Sequence, residues 1–322
     1  MVQINGRKIG HGHPCFFIAE VGINHNGSLP MALQLIDEAA KAGANAVKLQ
    51  KRTVPVVYKR DELAASRVVD SSIIQNAMDR RVIEGVRYDV FPSENLARLE
   101  QGGDTTNGDL KYALEFGMKE YDLINKRCLE LGITWSASAW DGQSAHFING
   151  FEDVKWFKIA SPCLTHIDLL KRVRSKNKPV FLSTGGSTLE QIQKAVEILG
   201  TENLILLHCV SLYPPRDEDT NLLMMETLCR MYPSVPVGYS SHSVDIFPPV
   251  TAVAMGASVI ETHITLDRDL PGSDHKASLT TEQFAEMVSM SRRVEAMRGD
   301  GVKRILPGEA EVMKKLRRVS DF

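Results

Sequence analysis

A single (β/α)₈ barrel is the fold class this sequence predicts, and three observations predict it. Short β-rich apolar runs recur eight times along the chain. Each is bounded by a small or polar cluster and separated from the next by a stretch of helical periodicity, and chemically able side chains gather where the runs end. Apolar runs joined by helix-length crossovers mean parallel strands buried on both faces, and eight such units favour a closed ring over an open sheet.

The elements follow in order. Residues 1–15 open with VQINGRKIG, whose Asn5-Gly6 pair is a hairpin-turn signature, so a β-hairpin is expected to cap one end of the barrel. The strand runs are FFIAEVG (16–22), AVKLQ (46–50), TWSASAW (134–140), FKIAS (157–161), PVFLST (179–184), LILLHCV (204–210), VPVGYSS (235–241) and VIETHITL (259–266). Between them LPMALQLIDEAAKAGA, STLEQIQKAVEILG and TNLLMMETLCRMYP repeat apolar residues at three and four positions, the spacing of one helix face. A last helix around 280–297 closes the ring. Residues 51–118, between the second and third strands, are too long and polar for an ordinary connection. As a βα loop they are expected to sit at the active-site face as a lid or interface insertion.

Composition bounds the function. The 322 residues are 43% hydrophobic and 24% charged, which is enough apolar material for one large core, and the chain is read as a single domain over 1–322. Lys plus Arg number 38 against 40 Asp plus Glu, with neither sign massed, so neither nucleic acid nor a membrane is an expected partner. The absence of a signal-like N-terminus and of a long apolar run leads to the expectation of a cytoplasmic protein. Five cysteines without metal-finger spacing are expected to be free thiols.

Residues at barrel strand ends face the site, and here every strand contributes: Glu20, Lys48, Ser138, Lys158 with Ser161, Ser183, His208 with Ser211, Ser240 with His242, and His263. Two lysines converging with several hydroxyls make an anion site suited to a phosphorylated, carboxylated small molecule. His242 and His263 end neighbouring strands and could share one divalent cation, leaving positions open for substrate. Glu20 and Asp274 are the carboxylates placed to move protons or hold sugar hydroxyls. His25 and His166 read as turn or cap residues, and Cys163 and Cys209 lack an adjacent base that would make either a nucleophile.

FFIAEVGINHNGSLPMALQLIDEAAKAGANAVKLQ, FKIAS, FLSTGG, LLHCVSLYP, GYSSHS and ETHITLDRDLPGSDHKASL, in this order and spacing, resemble the N-acetylneuraminate (sialic acid) synthase family over nearly the whole chain outside 51–105. The resemblance implies a homodimeric barrel enzyme that joins phosphoenolpyruvate to an N-acylmannosamine-type sugar aldehyde, or its phosphate, with help from Mn²⁺ or Mg²⁺. His242 and His263 match the metal-binding histidines. Lys48, Ser138, Lys158, Ser161, Ser183, Ser211 and Ser240 fall on phosphoenolpyruvate-binding positions, with Ser138 and Ser211 replacing other polar residues common there. Glu20 matches the carboxylate beside the reacting carbons, and Tyr213 and Asp274 match sugar contacts, so that Glu20, Lys48, Lys158 and His242 are the implied catalytic set. Two departures fall on the sugar side. Pro162 and Cys163 stand where the family has an acidic residue, and the sequence ends at RRVSDF, where a small antifreeze-protein-like domain would begin. Three alternatives remain open: a 3-deoxy-ulosonate phosphate synthase acting on a phosphorylated aldose, a Schiff-base aldolase using Lys48 or Lys158, and a barrel that binds sugar without turnover.

Overall fold

The computed structural model describes residues 1–80 and 92–319. Eight parallel strands form a closed ring: β3 (Phe16–Gly22), β4 (Ala46–Lys51), β5 (Thr134–Ala139), β6 (Phe157–Ile159), β7 (Val180–Ser183), β8 (Leu204–Cys209), β9 (Val237–Ser241) and β10 (Val259–Thr265). Consecutive strands pair in register, and β10 pairs with both β9 and β3 to close the barrel. The expected run at 157–161 yields a shorter strand because Ser161–Cys163, with Pro162 inside, turns into a 3₁₀ helix. The expected closing helix is Thr281–Arg298.

The expected hairpin is present as β1 (Val2–Ile4) paired antiparallel with β2 (Arg7–Ile9), and Asn5 and Gly6 both take the positive φ a tight turn needs. Its apolar face plugs the bottom of the barrel. Val2, Ile4 and Ile9 join Phe16, Ile18, Ala46, Trp156, Phe181, Ile205, Leu207 and Val259 in one buried interior cluster. The alternate residues Phe17, Ala19, Val47, Leu182, Leu204, Leu206 and Ile260 belong instead to the layer between strands and helices. Period-two alternation therefore sorts each strand into an inner and an outer set. At about 1.5–3 kcal/mol per fully buried large side chain, both layers drive closure.

The inner set changes character up the barrel. Below lie Phe16, Ile18, Phe181 and Ile205; two or four residues further along the same strands come Glu20 and Ser183, and the neighbouring strands add Lys48, Lys158, Ser240 and Glu261. Apolar packing thus builds a rigid floor under a polar layer. The 51–118 segment yields its first residue to β4, Lys51 being the last of that strand. Its described part holds five helices, the longest Ser71–Asp79, over a small core of Val69, Ile73, Ala77, Leu96, Ala113 and Leu114. The stretch 81–91 of this insertion lies outside the described residues. Among the described residues no helix is long and apolar enough to cross a membrane.

Candidate active site

The polar layer at the strand C-termini is a chain of charge. Lys48 Nζ pairs with Glu20 Oε2, donates to Ser138 Oγ at 2.8 Å and lies 3.9 Å from Glu261 Oε1. Lys158 Nζ donates to Glu261 Oε1 at 2.9 Å, and the Ser240 hydroxyl donates to the same oxygen at 3.1 Å. All six residues are buried. Strand register explains the order: Glu20 lies opposite Lys48, Ser138 opposite Lys158, and Glu261 opposite Ser240.

Burial of two carboxylates and two ammonium groups is costly unless each is paired, and the surroundings split the carboxylates apart. For Glu20 burial dominates and raises its pKa, against the opposing pull of Lys48. For Glu261 burial also pushes upward, but Lys158 and Lys48 together outweigh it and hold the carboxyl below its ordinary range. Burial lowers the Lys158 pKa despite the Glu261 counter-charge. Gly22 gives the geometry room: it takes positive φ at a register shift in β3, and a Cβ there would stand 3.0 Å from Glu20 Oε1.

Beside the lysines lies a cradle. Gly185 donates its N–H to Ser161 Oγ at 3.0 Å, and a Cβ on Gly185 would fall 2.5 Å from Ser211 Oγ and 2.9 Å from Ser161 Oγ. Only glycine lets the Ser161 and Ser211 hydroxyls close on the backbone here, and those two hydroxyls are the donors an oxyanion could meet. Ser183 Oγ, Glu20 Oε1 and Glu261 Oε2 are buried without hydrogen-bond partners, as a ligand-binding layer requires.

The two histidines meet at the rim. Their ring centroids are 5.5 Å apart, and Tyr213 stacks on His242 at 4.0 Å. His242 Nδ1 lies 2.7 Å from the Val210 carbonyl, so it carries the proton and leaves Nε2 as a lone pair. Burial, then His263, lowers the His242 pKa to about 3, which keeps the imidazole neutral. His263 Nδ1 is buried without a hydrogen-bond partner, 3.8 Å from Asp274 Oδ2. Two imidazoles this close fit a divalent cation. Among the described residues no group of three or more His, Cys, Asp and Glu side chains forms a cage, so the other positions would fall to substrate and water.

The structure thus gathers Glu20, Lys48, Ser138, Lys158, Ser161, Ser183, Ser211, Ser240, His242, His263, Tyr213 and Asp274 at one end of the barrel. One expected strand-end residue is excluded. His208 points outward, its Nε2 at 2.8 Å from the Thr220 carbonyl, because Ile205, Leu207 and Cys209 take the inward positions of β8. Glu261 was missed by sequence reasoning, although it stands two residues before His263 and shares its inward face. Gly185 was missed too, since its contribution is an absent side chain. His25 is a turn residue, its Nδ1 accepting the Gly27 N–H at 3.1 Å, and His166 occupies a helix N-cap position without a side-chain cap. All five cysteines are free. Burial raises the Cys163 thiol to about 11 and raises Cys209, and the His242 nitrogen 4.0 Å from Cys209 Sγ is taken by Val210.

Fold and site together define a (β/α)₈ barrel whose mouth holds a buried layer of two lysines and two carboxylates beside a pair of histidines. A family model described as the NeuB family matches residues 74–303. The N,N'-diacetyllegionaminic acid synthase of Legionella pneumophila is 33% identical over 324 residues, covering 98% of this chain and 82% of that protein. The human N-acetylneuraminate-9-phosphate synthase is 32% identical over 313 residues, covering 97% and 79%. The crystal structure of an N-acetylneuraminic acid synthetase from Leptospira borgpetersenii, in complex with citrate, superposes with a TM-score of 0.75 at 32% identity, covering 99% of this chain and 98% of that one. The chain belongs to the NeuB family.

Proposed function

We propose that the protein condenses phosphoenolpyruvate with an N-acylmannosamine-type sugar aldehyde, or its phosphate, to give a nonulosonic acid and inorganic phosphate. The observation that carries this reading is the Glu20–Lys48–Glu261–Lys158 layer beside the Ser161–Gly185–Ser211 cradle. Phosphoenolpyruvate brings two anionic groups to one place. In this reading Lys48, Lys158, Ser138, Ser183 and Ser240 hold its carboxylate and bridging region, and the cradle holds its phosphoryl oxygens. Relatives named as legionaminic, pseudaminic and N-acetylneuraminate-9-phosphate synthases support the reaction class.

The residues divide the work. C3 of phosphoenolpyruvate forms a bond to the aldehyde carbon, water adds at C2, and the C2–O bond to phosphate then breaks. Glu20 takes the proton of the added water. Burial raises its pKa, which strengthens the carboxylate as a base, and Lys48 opposes that rise. The Lys48 and Lys158 ammonium groups stabilise negative charge through these steps, and Glu261 holds both in position. A divalent cation, Mn²⁺ or Mg²⁺, would be held by His242 and His263 and when bound would polarise the aldehyde oxygen. Tyr213 and Asp274 flank that end and would orient the sugar. A Schiff base would require Lys48 to give up Glu20, or Lys158 to give up Glu261, and the proton it holds.

The test is phosphate release from phosphoenolpyruvate across hexosamines, aldoses and their phosphates, with Mn²⁺, with EDTA, and in a His242→Ala variant. Sugar-dependent release that EDTA and the variant each cut by about a hundredfold or more, the scale of losing one main electrostatic contributor, is the expected result. Undiminished release after chelation would overturn the role given to His242 and His263. Absence of release with every sugar would overturn the synthase.

A further inference from the structure

A cavity of about 250 Å³ lies beyond the histidine rim, between the insertion, the loop after β3 and the loop after β10; its walls include Asn24, Asn26, Arg67, Lys111, Gly272 and Ser273. None of these six belongs to the anion layer or cradle above. Asp274, next to Ser273, stands 3.8 Å from His263 on one side and acts electrostatically on Lys111 on the other. A substrate with its aldehyde at the histidines and its hydroxyls along Asp274 would therefore extend into this cavity.

The walls are short of negative charge. Among the described residues no carboxylate lies within ion-pair distance of Lys111, whose ammonium instead sits over the Tyr58 ring at 5.0 Å. Arg67 commits Nη1 to Asn107 Oδ1 at 3.0 Å and makes no salt bridge among the described residues. Arg52 lies nearby with its charge already paired, Nε donating to the buried Glu115 carboxylate at 2.7 Å. It is 5% exposed, its Nη2 is buried without a hydrogen-bond partner, and Nη1 donates to the hydroxyl of the same Tyr58 at 3.2 Å. Burial, then Arg52 and Arg67, lowers the Lys111 pKa, with Asp274 and Glu115 offsetting part of the effect. The one acid on the wall, Asp70, is occupied in capping a helix, its Oδ1 accepting from the N–H and hydroxyl of Ser72.

Neutral donors and acceptors are also left over. Asn26 is 2% exposed, and its amide bonds through one atom to His275 at 3.2 Å. Whichever way that amide is turned, its other polar atom has no side-chain or backbone partner. Asn24, 1% exposed, donates to Ile264 O and Ser278 Oγ but leaves Oδ1 unbonded, an acceptor for a hydroxyl. Crowded cations with buried amide atoms unsatisfied make a site that an anionic, hydroxylated ligand completes.

Resting on the synthase reading, we propose that this cavity binds an anionic group at the end of the acceptor remote from its aldehyde, with Lys111 and Arg67 as its cations. A phosphate ester and a carboxylate share that chemistry. The pairing of Lys111 and Arg67 would then set the substrate class, whereas the phosphoenolpyruvate layer serves any acceptor.

The test measures calorimetric binding of N-acetylmannosamine, its 6-phosphate and its uronate to the phosphoenolpyruvate-loaded protein in EDTA, for wild type, Lys111→Gln and Arg67→Gln. The wild type is expected to bind the phosphate or the uronate about tenfold or more tightly than the neutral sugar. Which of the two wins names the anion. Each variant is expected to lose that preference, bind the neutral sugar as before and melt at the wild-type temperature. Equal binding of all three sugars, or a preference untouched by both substitutions, overturns the proposal. Phosphate release with Mn²⁺, assayed in parallel, separates the two readings. Turnover that favours the neutral sugar would leave the synthase standing and the anion site refuted. An anion preference lost in Lys111→Gln without turnover of any sugar would leave the site standing and the synthase refuted.

Discussion

His25 shows what the barrel mouth demands of a single residue. Its ring is buried, stacks on Phe116 at 4.2 Å and accepts the Gly27 N–H, so the imidazole is used in its neutral form. Burial, then Arg80 and Arg52, lowers its pKa from 6.5 to about 3. The unfolded chain therefore binds a proton between about pH 6.5 and 3 that the folded chain refuses. Stability from this residue is complete above the unfolded pKa and is lost as pH falls toward the folded one. Between pH 7 and pH 5 that loss amounts to about 2 kcal/mol. Urea unfolding at the two pH values, compared with His25→Gln, should show a pH dependence in the variant that is shallower by this amount. An identical slope in both proteins would mean that His25 protonates in the folded state.

At the scale of elements, legibility followed size and periodicity. Strands and long helices could be read because their apolar positions repeat. The insertion could not, because its helices are short and its core is a handful of residues gathered from Val69 to Leu114. Such a unit is held locally, and its stability is separable from that of the barrel. Ile73, 3% exposed on the helix Ser71–Asp79, is central to it. Ile73→Ala should cost at least about 2 kcal/mol there, which corresponds to about a thirtyfold rise in the population of the opened insertion. Proteolysis within 51–118 should quicken accordingly, with the thermal unfolding of the barrel nearly unchanged. Equal loss of both would show that insertion and barrel unfold as one unit. Because Lys111 and Arg67 lie on this element, its integrity would also bear on the anion subsite proposed above.

Across the whole molecule, one rule of alternation accounts both for what the sequence revealed and for what it hid. The inward set of most strands begins apolar and ends polar, β5 with Thr134 and Ser136 being an exception, so reading strand ends recovered Glu20, Lys48, Lys158 and His263. Reading one end per strand missed Glu261, a turn of the pleat deeper on β10, and took His208 for an inward residue when β8 points Cys209 inward instead. The cradle at Gly185 was hidden for another reason, since it is made by space and by chain segments that meet only when the ring closes.

That closure carries the last expectation. The barrel buries two ammonium groups and two carboxylates with some polar atoms unpaired within the protein, and phosphoenolpyruvate, as proposed, would complete their bonding in the folded state alone. A ligand at about a hundred times its dissociation constant stabilises the native state by about 2.7 kcal/mol, or about 4 °C in melting temperature for a chain of this length. In Gly185→Ala the backbone needs no positive φ, but the new Cβ would meet the Ser211 and Ser161 hydroxyls at 2.5 and 2.9 Å and turn them out of the cradle. The variant should therefore melt near the wild-type temperature without ligand and lose most of the shift at the same phosphoenolpyruvate concentration. Equal shifts in both proteins would place the phosphoryl group elsewhere and leave the lysine layer to hold the carboxylate alone.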